Sequence, residues 1–137
     1  MASLPSNTAA PAAPSAVTRY GIPFISVGRI FAGILSWASP TASSRVFLLG
    51  RPAPDGRAGM MFRLFGIRDL ALGLALQHPS ADVRKVALQA GVAIDSADVL
   101  ATLLAVRAGA PKSAILGAAG GAVLFVMLGL KALTEKP

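Results

Sequence analysis

The chain has 137 residues, enough for one domain, and 54% of them are hydrophobic while only 14% are charged. A soluble domain carries roughly 25% charged residues. A chain this short also has too little interior to hide so much apolar surface from water. The composition therefore indicates a membrane protein, and the alternative is a very apolar soluble helical bundle.

The sequence contains no cysteine and one histidine, His78. These counts exclude disulfides, thiolate metal sites and cysteine nucleophiles, and a single histidine is too few for a histidine-rich metal site. We therefore expect no metal and no cofactor. The net charge is +7, but the basic residues are scattered and are not interleaved with aromatics. This pattern favours contact with anionic lipid headgroups and speaks against nucleic acid as a partner.

In chain order, residues 1–20 are rich in Ala, Pro and Ser and are predicted to be a disordered tail. Four apolar segments follow, at about residues 22–38, 59–77, 86–106 and 113–130. Each is close to the roughly 20 residues that a helix needs to cross a bilayer. The sequence thus predicts an all-α domain at residues 21–133, a bundle of four transmembrane helices, followed by a short polar tail at 134–137.

Proline and aromatic residues mark the ends of the first segment. Pro23 suits a helix start, and Pro40 is expected to end the helix. Tyr20 and Trp37 flank the segment at the positions where interfacial aromatics are common. The stretch VFLLG at 46–50, in the loop that follows, is a candidate short interfacial element.

Three of the four segments carry charged residues near their centres, each of which costs about 2.5–3.5 kcal/mol on insertion scales. Asp95 and Asp98 share one helix face because they are three residues apart. We expect the charges to meet between the first three helices in a buried polar cluster, which could also bind a ligand. Its predicted members, three positive and three negative, are Arg29, Arg63, Arg68, Asp69, Asp95 and Asp98.

Small residues suggest where helices pack. Gly66 and Gly73 are seven residues apart and lie on one face of the second helix. Gly117 and Gly121 form a small-xxx-small motif in the fourth helix, a spacing that permits close helix–helix contact. We expect all four glycines to serve packing, and the motif of the fourth helix is a candidate contact between two copies of the chain.

The charged segments carry a family resemblance. The stretches GRIFAGILSWASP at 28–40, RLFGIRDLALGLAL at 63–76 and IDSADVLATLL at 94–104 resemble the DUF4267 family of small four-helix membrane proteins. The overall plan is similar to that of DoxX-like membrane proteins. The resemblance implies a four-helix membrane fold over roughly residues 22–131. It implies no activity, because the family has none established.

Three hypotheses for function remain. The first is a non-enzymatic, multi-pass accessory or structural membrane component whose ionic cluster fixes helix register. The second is a binder or carrier of a small hydrophobic ligand or a proton at mid-membrane. The third is a small isomerase-, cyclase- or hydrolase-type enzyme with Asp95 and Asp98 as acid and base. The expected partners are the lipid bilayer and either a larger membrane protein or a second copy.

Overall fold

The computed structural model describes residue 13 and residues 15–52 and 56–135. All regular secondary structure in this part of the chain is helical. The predicted tail at residues 1–12 and 14, and the last two residues of the predicted polar tail, lie outside the described residues. The all-α prediction is confirmed for the part that the structure describes.

Five α-helices follow one another in the part of the chain that the structure describes. A π-helical turn, Val17–Gly21, continues directly into α1, and a second π-helical turn, Ile115–Ala119, leads into α5. The α-helices are α1 (Ile22–Ala38), α2 (Pro40–Val46), α3 (Arg57–Ala75), α4 (Ala81–Arg107) and α5 (Gly120–Thr134). The helix that contains α1 therefore begins inside the segment predicted as tail, and α4 begins before the predicted residue 86.

The short helix α2 was not predicted from the sequence. Pro40 ends α1 as expected, but it also stands at the start of α2, where a missing N–H costs nothing. The Ser39 side chain caps α2 by accepting a hydrogen bond from the Ala42 N–H at 3.3 Å. The VFLLG stretch begins at the last residue of α2 and then forms a turn in which Leu48 and Gly50 have φ of 56° and 80°.

Among the described residues, three helical stretches have the length and apolar composition to cross a membrane: Val17–Ala38, Ala81–Arg107 and Ile115–Thr134. Large apolar side chains lie exposed along them, such as Phe31 at 60% and Leu116 at 78%. Surfaces of this kind are suited to lipid and poorly suited to water. The helix α3 is 19 residues long, but it carries Arg63, Arg68 and Asp69 and is not among the three.

Helices α1 and α3 pack antiparallel with their backbones in contact. A Cβ atom on Gly66 would lie 2.6 Å from the Gly33 carbonyl oxygen, and one on Gly73 would lie 2.9 Å from the Ser26 carbonyl oxygen. Both distances are too short for a methyl group, so only glycine permits this approach. Helices α4 and α5 form a second packed pair, in which the Cβ position of Gly129 lies 2.7 Å from Val92.

The first residues of the helical chain and the last residues of α5 lie at the same end of the bundle. The Glu135 carboxylate accepts hydrogen bonds from the hydroxyl groups of Ser15 and, at 2.6 Å, Thr18. These bonds, with Lys131 nearby, hold the pKa of Glu135 below its usual value. They fasten the beginning of the described chain to its end.

We expect Gly66→Ala to lower the free energy of unfolding by about 1–3 kcal/mol, because the new methyl group would force α1 and α3 apart. The matched control is Gly121→Ala, since nothing lies within 4 Å of the Cβ position of Gly121. That control should be neutral or stabilising by up to about 1 kcal/mol through helix propensity. Denaturant unfolding in detergent measures both, and equal effects would contradict the packing described for α1 and α3.

Candidate functional site

The centre of the bundle holds a buried guanidinium group between two carboxylates. Arg29 of α1 is 2% exposed, and its Nη1 atom donates to Oδ1 of Asp69 on α3 at 2.7 Å. Its Nη2 atom donates to Oδ2 of Asp95 on α4. Both aspartates are themselves buried. This arrangement, the Arg29 triad, joins three helices through one side chain.

The fourth long helix also contacts Arg29. The guanidinium carbon lies 5.1 Å from the ring centre of Phe125 on α5, in cation–π geometry. On the α4 side, a Cβ atom on Gly91 would lie 2.8 Å from Nη2 of Arg29. The absence of a side chain at Gly91 therefore makes the space in which the guanidinium group sits. Arg29 has contacts with α3, α4 and α5 at once.

A second ion pair lies beside the triad, between α3 and α4. Arg68 donates two hydrogen bonds to Asp98, at 3.2 and 2.7 Å, and both side chains are 31% exposed. The Arg68 guanidinium carbon lies 4.7 Å from the ring centre of Phe65. The two-pronged geometry is the preferred way for arginine to bind a carboxylate. The Nε atom of Arg68 is buried and has no hydrogen-bond partner among the described residues.

Helix geometry explains how adjacent charges reach different partners. Arg68 and Asp69 are consecutive, so their side chains diverge by about 100° around α3. Asp69 thus points to α1 while Arg68 reaches α4. Asp95 and Asp98 share a face of α4, as predicted, but each binds its own arginine. The charges at the centre of α3 are therefore matched by charges on both neighbouring helices.

Five of the six residues predicted to form the polar cluster come together, and Arg63 does not. Arg63 is exposed and makes none of the ion pairs found in the described part of the chain. The reason is angular, because five residues place it about 140° around α3 from Arg68. The assembled group holds two arginines and three aspartates, so it has a formal charge of −1 when all are ionised. It is not the neutral set that the sequence suggested.

The sequence did not identify the aromatic members of the site. These are Phe65 and Phe125, and a lone phenylalanine in a sequence carries no signal for a cation–π contact. Hydroxyl groups add further links between helices. Ser26 donates to the Gly73 carbonyl oxygen at 2.8 Å, and the hydroxyls of Ser36 and Ser43 share a hydrogen bond of 2.7 Å.

The four glycines predicted to serve packing have different surroundings. Gly66 and Gly73 lie against α1, as described above. Gly117 lies against the backbone of Phe47, in the turn after α2, so its neighbour belongs to this chain. Gly121 has open space at its Cβ position. A contact between two copies through Gly121 stays a prediction.

The space beside the Arg29 triad is very small. The cavity lined by Arg29, Gly91, Phe125 and neighbouring apolar residues has a volume of about 10 Å³, which is at most the room for one water molecule. Among the described residues, no group of three His, Cys, Asp or Glu side chains is arranged to hold a metal ion. The arrangement is suited to holding helices together, and the cavity beside Arg29 is too small for a substrate.

Comparisons of this chain with protein-family models, with curated proteins and with solved structures give no match. The resemblance to DUF4267 and DoxX-like proteins stays a prediction. The geometry of the charged residues and the surfaces of the helices are therefore the features from which a function can be inferred.

We expect Arg29→Met to be the most destabilising single change in the cluster, at about 3–5 kcal/mol, because it leaves two buried carboxylates without a cation. Asp69→Asn and Asp95→Asn should each cost less, since Arg29 keeps one charged partner. Arg63→Met on the exposed face of α3 is the control and should stay within about 0.5 kcal/mol. Unfolding in detergent tests this order, and an Arg29 variant as mild as the Arg63 variant would refute it.

Proposed function

We propose that the chain is a four-span integral membrane protein that serves as a structural or accessory membrane component. In this proposal the Arg29 triad and the Arg68–Asp98 pair hold the helices in register. The observation that carries the proposal is the contact of one buried guanidinium group with α3, α4 and α5. Buried ionic groups of this kind can specify packing without adding much net stability.

The path of the chain supports α3 as a fourth span. Helix α3 runs antiparallel to α1 along most of its length, since Gly66 lies against Gly33 and Gly73 against Ser26. It begins at the end where α1 stops and finishes at the end where α4 starts. If α1, α4 and α5 each cross the membrane, α3 must cross it in the opposite direction to α1.

The charges of α3 fit this role because most of them are matched inside the bundle. Asp69 is buried against Arg29, and Arg68 is paired with Asp98 and lies over Phe65. An unmatched charge at mid-membrane would cost about 2.5–3.5 kcal/mol. Exposed Arg63 lies nearer the start of α3, from where a long side chain can extend toward the headgroups.

The two alternatives to a structural role receive less support. A ligand carrier or an enzyme needs room for a substrate beside the polar groups, and the cavity at Arg29 is about 10 Å³. Asp95 and Asp98 are each held by a different arginine, which does not favour their use as a cooperating acid and base. Binding of a proton remains a second candidate, because the triad of one arginine and two aspartates has a formal negative charge that one proton would cancel.

The outer surfaces of the helices support lipid as the main partner. Helix α5 exposes Val123, Leu124, Met127 and Leu130, and Gly121 on the same helix has open space beside it. A larger membrane protein or a second copy of the chain fits this surface as the protein partner in an accessory role. Nucleic acid has no place in the proposal.

A double-mutant cycle tests the structural role of the Arg68–Asp98 pair. We expect Arg68→Gln and Asp98→Asn each to destabilise the fold, and the double variant to be less destabilised than the sum by about 0.5–3 kcal/mol. Asp98→Asn combined with Arg63→Gln is the matched control and should be additive, because Arg63 makes no ion pair in the described structure. Additivity in both cycles would contradict a structural ion pair.

A labelling experiment tests the four spans. The natural chain has no cysteine, so single cysteines at Arg57, Ala81 and Ala108 can be labelled one at a time in oriented vesicles with a membrane-impermeant maleimide. All three positions are exposed. Four spans require the Arg57→Cys and Ala108→Cys variants to react on one side and Ala81→Cys on the other. Reaction of Arg57→Cys and Ala81→Cys on the same side would show that α3 does not cross.

A further inference from the structure

A polar pocket lies at the end of the bundle where α1 and α4 finish and the turn into α5 begins. It has a volume of about 390 Å³ and lies between α2, the turn after it, and Ser113. Two arginines, Arg45 and Arg51, line it together with the hydroxyl groups of Thr41, Ser44 and Ser113. No carboxylate is among the residues that line it in the described structure.

The walls of the pocket are fixed by hydrogen bonds. Ser113 donates to the Leu48 carbonyl oxygen at 2.8 Å, and Ser44 donates to the Gly50 carbonyl oxygen. Leu48 adopts φ of 56°, a strained value for a branched residue, which persists only where the surroundings hold it. Gly117 lies directly against the Phe47 backbone on the same turn. The side of the pocket formed by Ser44, Leu48, Gly50 and Ser113 is therefore held in place.

The arginines of the pocket differ from those of the bundle centre. Arg29 and Arg68 are both paired with aspartates. Arg45 and Arg51 are exposed, and within the described part of the chain neither makes an ion pair or a side-chain hydrogen bond. The nearest acidic residue in sequence, Asp55, lies outside the described residues. Two guanidinium groups without a counter-charge in the described structure, beside hydroxyl groups, are suitable donors for an anion.

We propose that this pocket binds a phosphate group, and that the phosphate belongs to an anionic phospholipid headgroup. Guanidinium groups match phosphate oxygens through paired, charge-assisted hydrogen bonds, and the Thr41 hydroxyl is a further donor. The apolar side chains of Leu48 and Pro52 also line the pocket and are suited to the glycerol and acyl parts of a lipid. Basic pockets at the ends of membrane helices are suited to such headgroups.

The proposal that the phosphate belongs to a lipid rests on the proposed membrane location. The proposal that the pocket binds a phosphate group does not. The pocket lies beside the ends of two stretches able to span a membrane, Val17–Ala38 and Ala81–Arg107. Exposed Trp37 stands at the same end, where interfacial tryptophans are common. A headgroup would thus reach the pocket without leaving its depth in the bilayer.

The test measures binding to the full chain in a neutral maltoside detergent by native mass spectrometry. The probes are phosphatidylglycerol, zwitterionic phosphatidylcholine and inorganic phosphate. We expect phosphatidylglycerol to bind, and the double variant Arg45→Gln/Arg51→Gln to weaken this binding by at least about tenfold. Thr41→Val, which keeps the charge and changes one hydroxyl to a methyl, should weaken it less.

The matched control removes the same charge at the same end of the bundle. Arg107→Gln/Lys112→Gln leaves the pocket lining unchanged and should bind phosphatidylglycerol like the natural chain. Equal losses in both double variants would overturn the proposal, because binding would then reflect a general basic surface. Binding of inorganic phosphate but not of phosphatidylglycerol would overturn the lipid source and keep the phosphate site. If the natural chain binds none of the three probes, the phosphate site is refuted, even where the labelling experiment finds four spans.

Discussion

One buried guanidinium group is the contact on which the helix arrangement depends. Helices α1 and α3 pack through glycine backbones, and α4 and α5 pack through apolar side chains. Arg29 joins these two pairs, since it donates to Asp69 within its own pair and to Asp95 in the other, and it lies beside the Phe125 ring. In lipid, apolar surfaces of two helices gain little by meeting. A directed ionic contact supplies the register that the hydrophobic effect would not.

The small residues of the bundle follow from that contact. A guanidinium group at the centre must be reached by carboxylates from two helices, and this requires short distances between helix axes. Gly91 leaves the space that Nη2 of Arg29 occupies, and Gly28 lies close enough to Phe125 that a Cβ atom would approach the ring to 2.8 Å. The glycines therefore provide the space that the contacts of the charged residues require. Each glycine gives up helix propensity of about 1 kcal/mol and permits an approach that no larger residue allows.

Much of this architecture could be predicted from the sequence. The apolar segments identified the four long helices, and the charged residues inside them indicated a polar cluster whose members, except Arg63, do come together. The position of Arg63 was missed because a balance of charges does not give the direction of each side chain around its helix. Arg63 is five residues before Arg68 on α3, so its side chain points away from the cluster. Helix α2 was missed because Pro40 ends one helix and starts the next. The pocket at Arg45 and Arg51 joins parts of the chain far apart in sequence, which periodicity cannot reveal.

The two groups of arginines have different roles in this chain. Arg29 and Arg68, at the centre, are paired with aspartates and lie over aromatic rings, so their charge is neutralised by contacts inside the fold. Arg45 and Arg51, at one end, have no counter-charge among the described residues, so their charge is directed outward. An exposed cation at the edge of a bilayer meets a negative surface potential that attracts each Lys or Arg by about 1 kcal/mol. In the proposed membrane arrangement, the same residue type fixes the helices at the centre of the bundle and is available to bind anions at its end.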